Sequence, residues 1–140
     1  MGSAVLRLAT GCLVLLALVA SLSCGHDQKL VAITITPNGF TVTDPLPGDT
    51  LTTFTAMGEF VYPPESRDIS TQVVWSGSFP DIFTIDSRTG VATYQGGCGT
   101  NLPVTATAST NLHLPPSGGI ITGTAIVNIT ITGTAGAACP

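Results

Sequence analysis

The alternation of apolar and polar residues over positions 120–131 constrains the fold of this chain more than any other feature. One face of the segment carries Ile121, Ala125, Val127, Ile129 and Ile131, and the other carries Thr122, Thr124, Asn128 and Thr130. A repeat of two residues is the spacing of a strand with one buried face. Only Ile126 departs from it, so the segment predicts a long β-strand.

Shorter segments with the same period, separated by turn residues, precede this strand. They are Val31 to Thr36, Phe40 to Thr43, Thr50 to Met57, Thr71 to Ser76, Ile82 to Ile85, Val91 to Tyr94 and Val104 to Ser109. No segment after Cys24 shows the 3.6-residue recurrence of a packed helix. We therefore predict an all-β domain, a two-sheet β-sandwich of about seven to nine strands.

The amino-terminal segment has the pattern of a cleaved signal peptide. A single basic residue, Arg7, precedes an apolar core from Leu8 to Ala20, and this is shorter than the roughly 20 apolar residues of a spanning helix. We divide the chain into a signal peptide (1–23), a tether (24–29) and one domain (30–140). A chain of that length suits one modest core.

The residues around Cys24 resemble the cleavage box of bacterial lipoproteins. Ser21-Leu22-Ser23-Cys24 places a small residue before the cysteine, and the resemblance implies that Cys24 carries the lipid and anchors the chain to a membrane. Gly25 after the cysteine implies sorting to the outer membrane. An exported outer-membrane or cell-surface lipoprotein is expected. Cleavage at the same bond by an ordinary signal peptidase, giving a periplasmic or secreted protein, remains the alternative.

Charge excludes one class of partner. Beyond the leader the basic residues are Lys29, Arg67 and Arg88, and they are scattered. A nucleic-acid binder needs clustered Lys and Arg to release counterions, so no nucleic-acid partner is expected. The acidic residues are also scattered, mostly one to a loop, which favours a solvated surface over a metal site; no metal or cofactor is expected.

An ordered set of short motifs carries a family resemblance. The motifs are Ile33-Thr34-Ile35-Thr36-Pro37, Pro47-Gly48-Asp49-Thr50, Asp68-Ile69-Ser70, Val73-Val74-Trp75-Ser76, Ile82-Phe83-Thr84-Ile85-Asp86, Thr89-Gly90-Val91-Ala92-Thr93 and Val104-Thr105-Ala106-Thr107-Ala108. In this order, from about Val31 to Thr132, the chain resembles a bacterial immunoglobulin-like domain of group 2, the module type of intimin- and invasin-like adhesins. The resemblance implies an immunoglobulin-like sandwich, and Trp75, on one face with Val73, is expected in its core.

Two cysteines remain after the leader and Cys24 are set aside. In an oxidising compartment Cys98 and Cys139 are expected to form a disulfide, because antiparallel pairing of the last two strands would bring both to one end of the sandwich. A free or intermolecular thiol is the main alternative. A nucleophile or metal ligand has less support, since the histidines His26 and His113 do not lie near Cys98 in the predicted topology.

Two loops with apolar residues are candidate binding loops. They are residues 58–67, with Phe60 and Tyr62, and residues 110–119, with Leu112, His113 and Leu114. We expect both at the same end of the sandwich, where such folds place binding sites. The alternative is that these side chains fold over the open end of the core.

These observations predict a non-catalytic module of the cell envelope with a structural, adhesive or protein-interaction role. No acid–base pair, nucleophile relay or metal cluster points to an enzyme. A carbohydrate- or cell-wall-binding module, or a secreted accessory or inhibitor protein, is the alternative. A sugar platform would need exposed aromatic side chains, so burial of Phe60, Tyr62 and Tyr94 would argue against it.

Overall fold

The computed structural model describes residues 28–112 and 118–132, and within them the chain is all-β. The strands are β1 (Lys29–Thr36), β2 (Phe40–Thr43), β3 (Thr50–Thr53), β4 (Thr55–Val61), β5 (Glu65–Asp68), β6 (Val74–Gly77), β7 (Phe83–Ile85), β8 (Val91–Tyr94), β9 (Gly99–Ser109) and β10 (Ile120–Thr130). In the described ranges no helix has the length and apolarity needed to cross a membrane. The predicted signal peptide lies outside them, and the predicted tether is described only at Gln28 and Lys29, of which Lys29 already belongs to β1.

The strands form three hydrogen-bonded sheets around one core, an arrangement consistent with a β-sandwich. The orders are β1-β4-β5, β3-β8-β7 and a four-stranded sheet, β2-β10-β9-β6. Strand β2 runs parallel to β10, while β9 and β10 form a long antiparallel pair. Antiparallel pairing of the last two strands is therefore confirmed.

The prediction of a two-sheet sandwich with seven to nine strands missed two features. The segment Thr50 to Met57 is split at Phe54, because β3 pairs with β8 and β4 pairs with β1. The fully buried Phe54 leaves both ladders, and its N–H donates to the Gly90 carbonyl at 3.0 Å. Residues 65–67, predicted as part of a loop, pair with β4 as strand β5, which continues to Asp68. The described residues consequently form ten strands in three sheets.

Trp75 lies at the centre of the core. Its side chain is 2% exposed, its indole Nε1–H donates to the Ser70 carbonyl at 3.0 Å, and its ring centre lies 6.1 Å from that of Phe54. A Cβ on Gly90 would approach the indole to 2.9 Å. The glycine therefore leaves the space that the tryptophan ring occupies.

A β-bulge in β1 reverses one expectation from the alternation. The register with β4 shifts between Leu30 and Ala32, so the extra residue, Val31, is 43% exposed while Leu30 is fully buried. A strict alternation over Val31 to Thr36 would place Val31 on the buried face with Ile33 and Ile35. A bulge inserts one residue and breaks the period of two, which the residue types alone do not show.

Strand β1 also packs closely over β10, at Gly123. A Cβ on Gly123 would lie 2.6 Å from the Ile33 carbonyl oxygen. Because this neighbour is backbone, a side chain at position 123 would push the two strands apart. The glycine thus sets the spacing between the two layers at this point.

One end of the structure, the tether end, collects the start of β1 and the β4–β5 turn. Lys29 is paired with Val61, and the Leu30 N–H donates to the Thr110 carbonyl at 2.8 Å. Ser109 is paired with Ile120. The described parts of the two predicted loops therefore lie at the same end, and the start of β9 and the close of β10 form the opposite, far end.

Candidate functional site

Phe60 is a core residue, so its prediction as part of an exposed binding loop is wrong. Its side chain is 3% exposed, and the Arg67 guanidinium carbon lies 4.2 Å from the ring centre. Such a cation over an aromatic face is attractive. Residue 60 occupies an inward position of β4 rather than a loop, because β4 continues to Val61.

Tyr62 stands at the tip of the β4–β5 turn and is 67% exposed. Its φ of 64° is in the left-handed region, which bulky residues rarely adopt. Leu112 is instead partly buried against the core. His113 and Leu114 lie outside the described residues, so of the candidate binding residues that the structure describes, only Tyr62 is largely exposed.

The aromatic side chains of the described residues do not assemble a sugar platform. Tyr94 is 3% exposed, and its hydroxyl donates to the Gly97 carbonyl at 2.5 Å. Phe79 is 42% exposed but follows β6, which runs away from the tether end where Tyr62 lies. Two stacking surfaces at different ends cannot hold one short glycan between them.

Three aspartates accept hydrogen bonds within turns and at strand ends. Asp44 accepts hydrogen bonds from the Thr132 N–H at 2.6 Å and from the Thr132 hydroxyl. Asp68 accepts from the Ser70 N–H and hydroxyl, and Asp86 accepts in the same way from Thr89. Over residues 28–112 and 118–132, no group of three or more His, Cys, Asp or Glu side chains is placed to hold a metal ion.

These hydrogen bonds lower the pKa of all three carboxyl groups, with the side-chain hydroxyl as the largest cause in each case. A carboxylate whose folded-state pKa lies below its unfolded value stabilises the fold at neutral pH. That stabilisation fades as the pH falls below about 4 and through the lowered folded values. We expect unfolding by urea to need less denaturant at pH 3 than at pH 7.

The variant Asp44→Asn should reduce this acid dependence, because an amide no longer loses a charge. Asp81→Asn, in the exposed loop before β7, is the control and should leave the dependence as in the parent chain. A urea midpoint for Asp44→Asn that changes with pH as steeply as that of the parent would contradict the assignment.

The outward face of the four-stranded sheet, here called the uncharged face, is a candidate interaction surface. It comprises Val74, Ser76, Pro103, Thr105, Thr107, Ile120, Thr122, Thr124 and Ile126, which alternate with the buried residues of β6, β9 and β10. Val74 is 60% exposed and Ile120 is 71% exposed. Each of these side chains is neutral, so the face combines aliphatic groups and hydroxyls without ionic groups.

Strand pairing brings the members of the uncharged face together in rows. Thr107 lies opposite both Val74 and Thr122, and Ser76 shares a hydrogen bond of 2.7 Å with the Thr105 hydroxyl. Val74, Thr107 and Ile120 also line a shallow depression near the tether end. Such a surface can bury aliphatic area while its hydroxyls exchange hydrogen bonds with a partner.

Sequence reasoning missed this surface, although a signal for it is present. No Asp, Glu, Lys or Arg follows Arg88 in the chain, so β9 and β10 are neutral throughout. Their period of two indicated one buried face and one polar face. That the outer sides of β6, β9 and β10 form one continuous area depends on which strands are neighbours.

The predicted disulfide partner of Cys98 is Cys139, which lies outside the described residues. Cys98 immediately precedes β9, whose first residue, Gly99, is paired with Ile129 near the end of β10. From Thr132, seven residues lead to Cys139, a length that can span up to about 24 Å. The geometry of the described residues is thus compatible with the proposed bridge.

Comparison with known proteins adds no family to these observations. No family model matches the chain, and no curated protein matches it.

Proposed function

We propose that this chain is a non-catalytic immunoglobulin-like module of the cell envelope that binds a protein partner through the uncharged face. The observation that carries the proposal is this broad neutral surface, with Val74 and Ile120 largely exposed. Depletion of charged residues is characteristic of the centres of protein interfaces. The role is adhesive or structural, through protein interaction.

The strand arrangement supports an immunoglobulin-like identity and the resemblance to group 2 of the bacterial domains. A sheet with β10, β9 and β6 as neighbours packs with β1, β3, β4, β7 and β8 around a buried tryptophan. The early strand β2 runs parallel to the last strand. Central burial of a tryptophan is a feature of immunoglobulin sandwiches.

The proposed location follows from the leader and Cys24. A lipid on Cys24 would anchor the mature chain in a membrane, and Gly25 favours the outer membrane or the cell surface. A secreted or periplasmic chain without lipid remains the alternative. Intact-mass measurement of the protein from its host's membrane fraction distinguishes these forms by the mass of the acyl groups.

A protein partner is preferred over a glycan because the described aromatic residues form no platform. Sugar rings commonly stack on exposed aromatic side chains, whereas Val74, Ile120 and Ile126 offer aliphatic area. A glycan bound by hydroxyl groups alone is the competing outcome of the following test. The test therefore determines whether the molecule crosslinked to this surface is a protein.

The experiment places a photo-crosslinking amino acid at Thr122 in the full chain, expressed in its host. Irradiation should give an adduct with a defined protein, and Val74→Glu in the same chain should lower its yield by at least about tenfold, equivalent to about 1.4 kcal/mol of binding free energy. The reason is that a buried carboxylate at the centre of an apolar contact would lack a partner. Adduct bands are quantified by mass spectrometry.

A crosslinker at Thr34, exposed on the outside of β1, is the matched control and should not give the adduct. Equal yields from positions 34 and 122, or an adduct insensitive to Val74→Glu, would contradict the proposed surface. An adduct that carries glycan and no protein would favour the carbohydrate-binding alternative.

A further inference from the structure

The start of the described chain is tied to the tether end by side-chain hydrogen bonds. Gln28 donates through Nε2 to Glu65 Oε2 at 2.7 Å, and its Oε1 accepts from Arg67 Nη1 at 2.9 Å. Arg67 in turn covers the ring of Phe60. The backbone at Gln28 is therefore held against β5 instead of extending the tether.

This attachment leaves a short connection to Cys24. Only four residue steps separate Cys24 from Gln28, and an extended chain of that length spans at most about 14 Å. If Cys24 carries the lipid, as the proposed function holds, the tether end must lie beside the bilayer. The far end cannot face the membrane on so short a connection. Strands β9 and β10 are each eleven residues long, and at about 3.3 Å per residue they separate the two ends by much more than the connection can span.

The tether end exposes side chains suited to a membrane interface. Tyr62 is 67% exposed in the β4–β5 turn, and Ile120 is 71% exposed at the start of β10. Both residues lie at this end because β4 pairs with β1, Leu30 of β1 donates to the Thr110 carbonyl just after β9, and β9 pairs with β10. Tyrosine is enriched at the headgroup level of membranes because its ring is apolar and its hydroxyl is polar.

The distribution of charged side chains also favours the tether end, rather than the far end, as the side that faces the membrane. Among the described residues near the tether end, Lys29 and Arg67 balance Glu59 and Glu65. Asp44 and Asp49 lie toward the far end, where Asp44 accepts hydrogen bonds from Thr132 and the Asp49 carbonyl accepts from Tyr94. Anionic lipid headgroups would repel the far end and not the balanced tether end.

We propose that the tether end docks directly on the lipid bilayer surface, with Tyr62 inserted at the headgroup level. This inference rests on the proposed lipid anchor at Cys24. Because the strands run from the tether end to the far end, docking would stand the sandwich upright. The uncharged face would then point sideways, open to a partner on the same membrane.

The test uses the full-length precursor expressed in its host, so that the mature lipidated protein is purified as it exists. The purified protein carries the substitution Tyr62→Trp and is reconstituted into vesicles of phosphatidylethanolamine and phosphatidylglycerol that contain 6,7-dibromo-phosphatidylcholine. Interfacial side chains lie about 5–10 Å into the headgroup and acyl boundary, so bromine contact should lower the emission of the tryptophan introduced at position 62 about twofold. Trp75, 2% exposed in the core, supplies a constant background that the parent chain measures separately.

Phe79→Trp is the matched control, since Phe79 is 42% exposed and follows the strand that runs away from the tether end. The emission of the tryptophan introduced at position 79 should not be quenched by the brominated lipid. With lipidation verified by intact mass, equal quenching at positions 62 and 79, or none at 62, overturns the docking while the anchor stands. A chain without acyl mass overturns the anchor and, with it, the docking.

Discussion

Replacing Trp75 with alanine is expected to lower the free energy of unfolding by about 3–5 kcal/mol, the usual cost of removing a large buried aromatic side chain. The indole is 2% exposed and packs beside Phe54. Its removal would leave a cavity between the layers. The Ser70 carbonyl would also lose the hydrogen bond that it accepts from the indole N–H. Urea unfolding followed by far-ultraviolet circular dichroism measures the change.

Val74→Ala is the matched control for this prediction. The two residues are neighbours in β6, but Val74 is 60% exposed on the opposite face. Surface substitutions usually change stability by less than about 0.5 kcal/mol, so Val74→Ala should leave the unfolding midpoint nearly unchanged. Similar losses of unfolding free energy in the two variants would mean that Trp75 is not a central residue of the core. Because alanine at 75 could prevent folding altogether, Trp75→Phe provides an intermediate measurement that should fall between them.

Reduction of the proposed Cys98–Cys139 disulfide is expected to cost about 4 kcal/mol, from the entropy of closing a loop of that length in the unfolded chain. The bridge would connect the start of β9 with the segment after β10 at the far end. In a domain of ordinary stability, about 5–15 kcal/mol, this is a large share. Cys98→Ser should reproduce the loss, and dithiothreitol should then have no further effect on the variant.

Mass and thiol labelling distinguish this result from other losses of stability. The parent protein should gain two hydrogens on reduction and label at Cys98 only afterwards. Cys24→Ser, which removes the proposed lipid site but not the bridge, should retain the full unfolding free energy in the soluble domain. Labelling of Cys98 in the unreduced, folded parent would refute the pairing.

Much of the strand pattern could be predicted from residue types, and its failures have specific causes. The strands at Phe40–Thr43 and Val91–Tyr94 have the bounds that the alternation predicted. Strand β5 was missed because the sequence Glu65-Ser66-Arg67-Asp68 is entirely polar, and it forms a strand only because β4 lies beside it. Propensity depends on such neighbours.

The candidate site was less predictable than the strands. Tyr62 was named and is exposed, but Phe60, two residues earlier, was also named and is buried. The difference is set by the continuation of β4 through Val61 and by Arg67 over the ring. The same residues expose different side chains when they form a loop and when they form a hairpin. Only the hydrogen-bonded pairing of the strands distinguishes the two cases.

By itself, the sequence determined that the domain after the leader is all-β over its described residues. It also placed Trp75 in the core and the odd-numbered residues of the last strand on a buried face. It could do so because a period of two encodes one apolar face within each strand. Only the tertiary structure decided the change of sheet at Phe54, the bulge that exposes Val31, and the joining of three neutral strand faces into one surface. These features depend on which strands become neighbours and in what register, and that is settled by contacts between residues far apart in the chain.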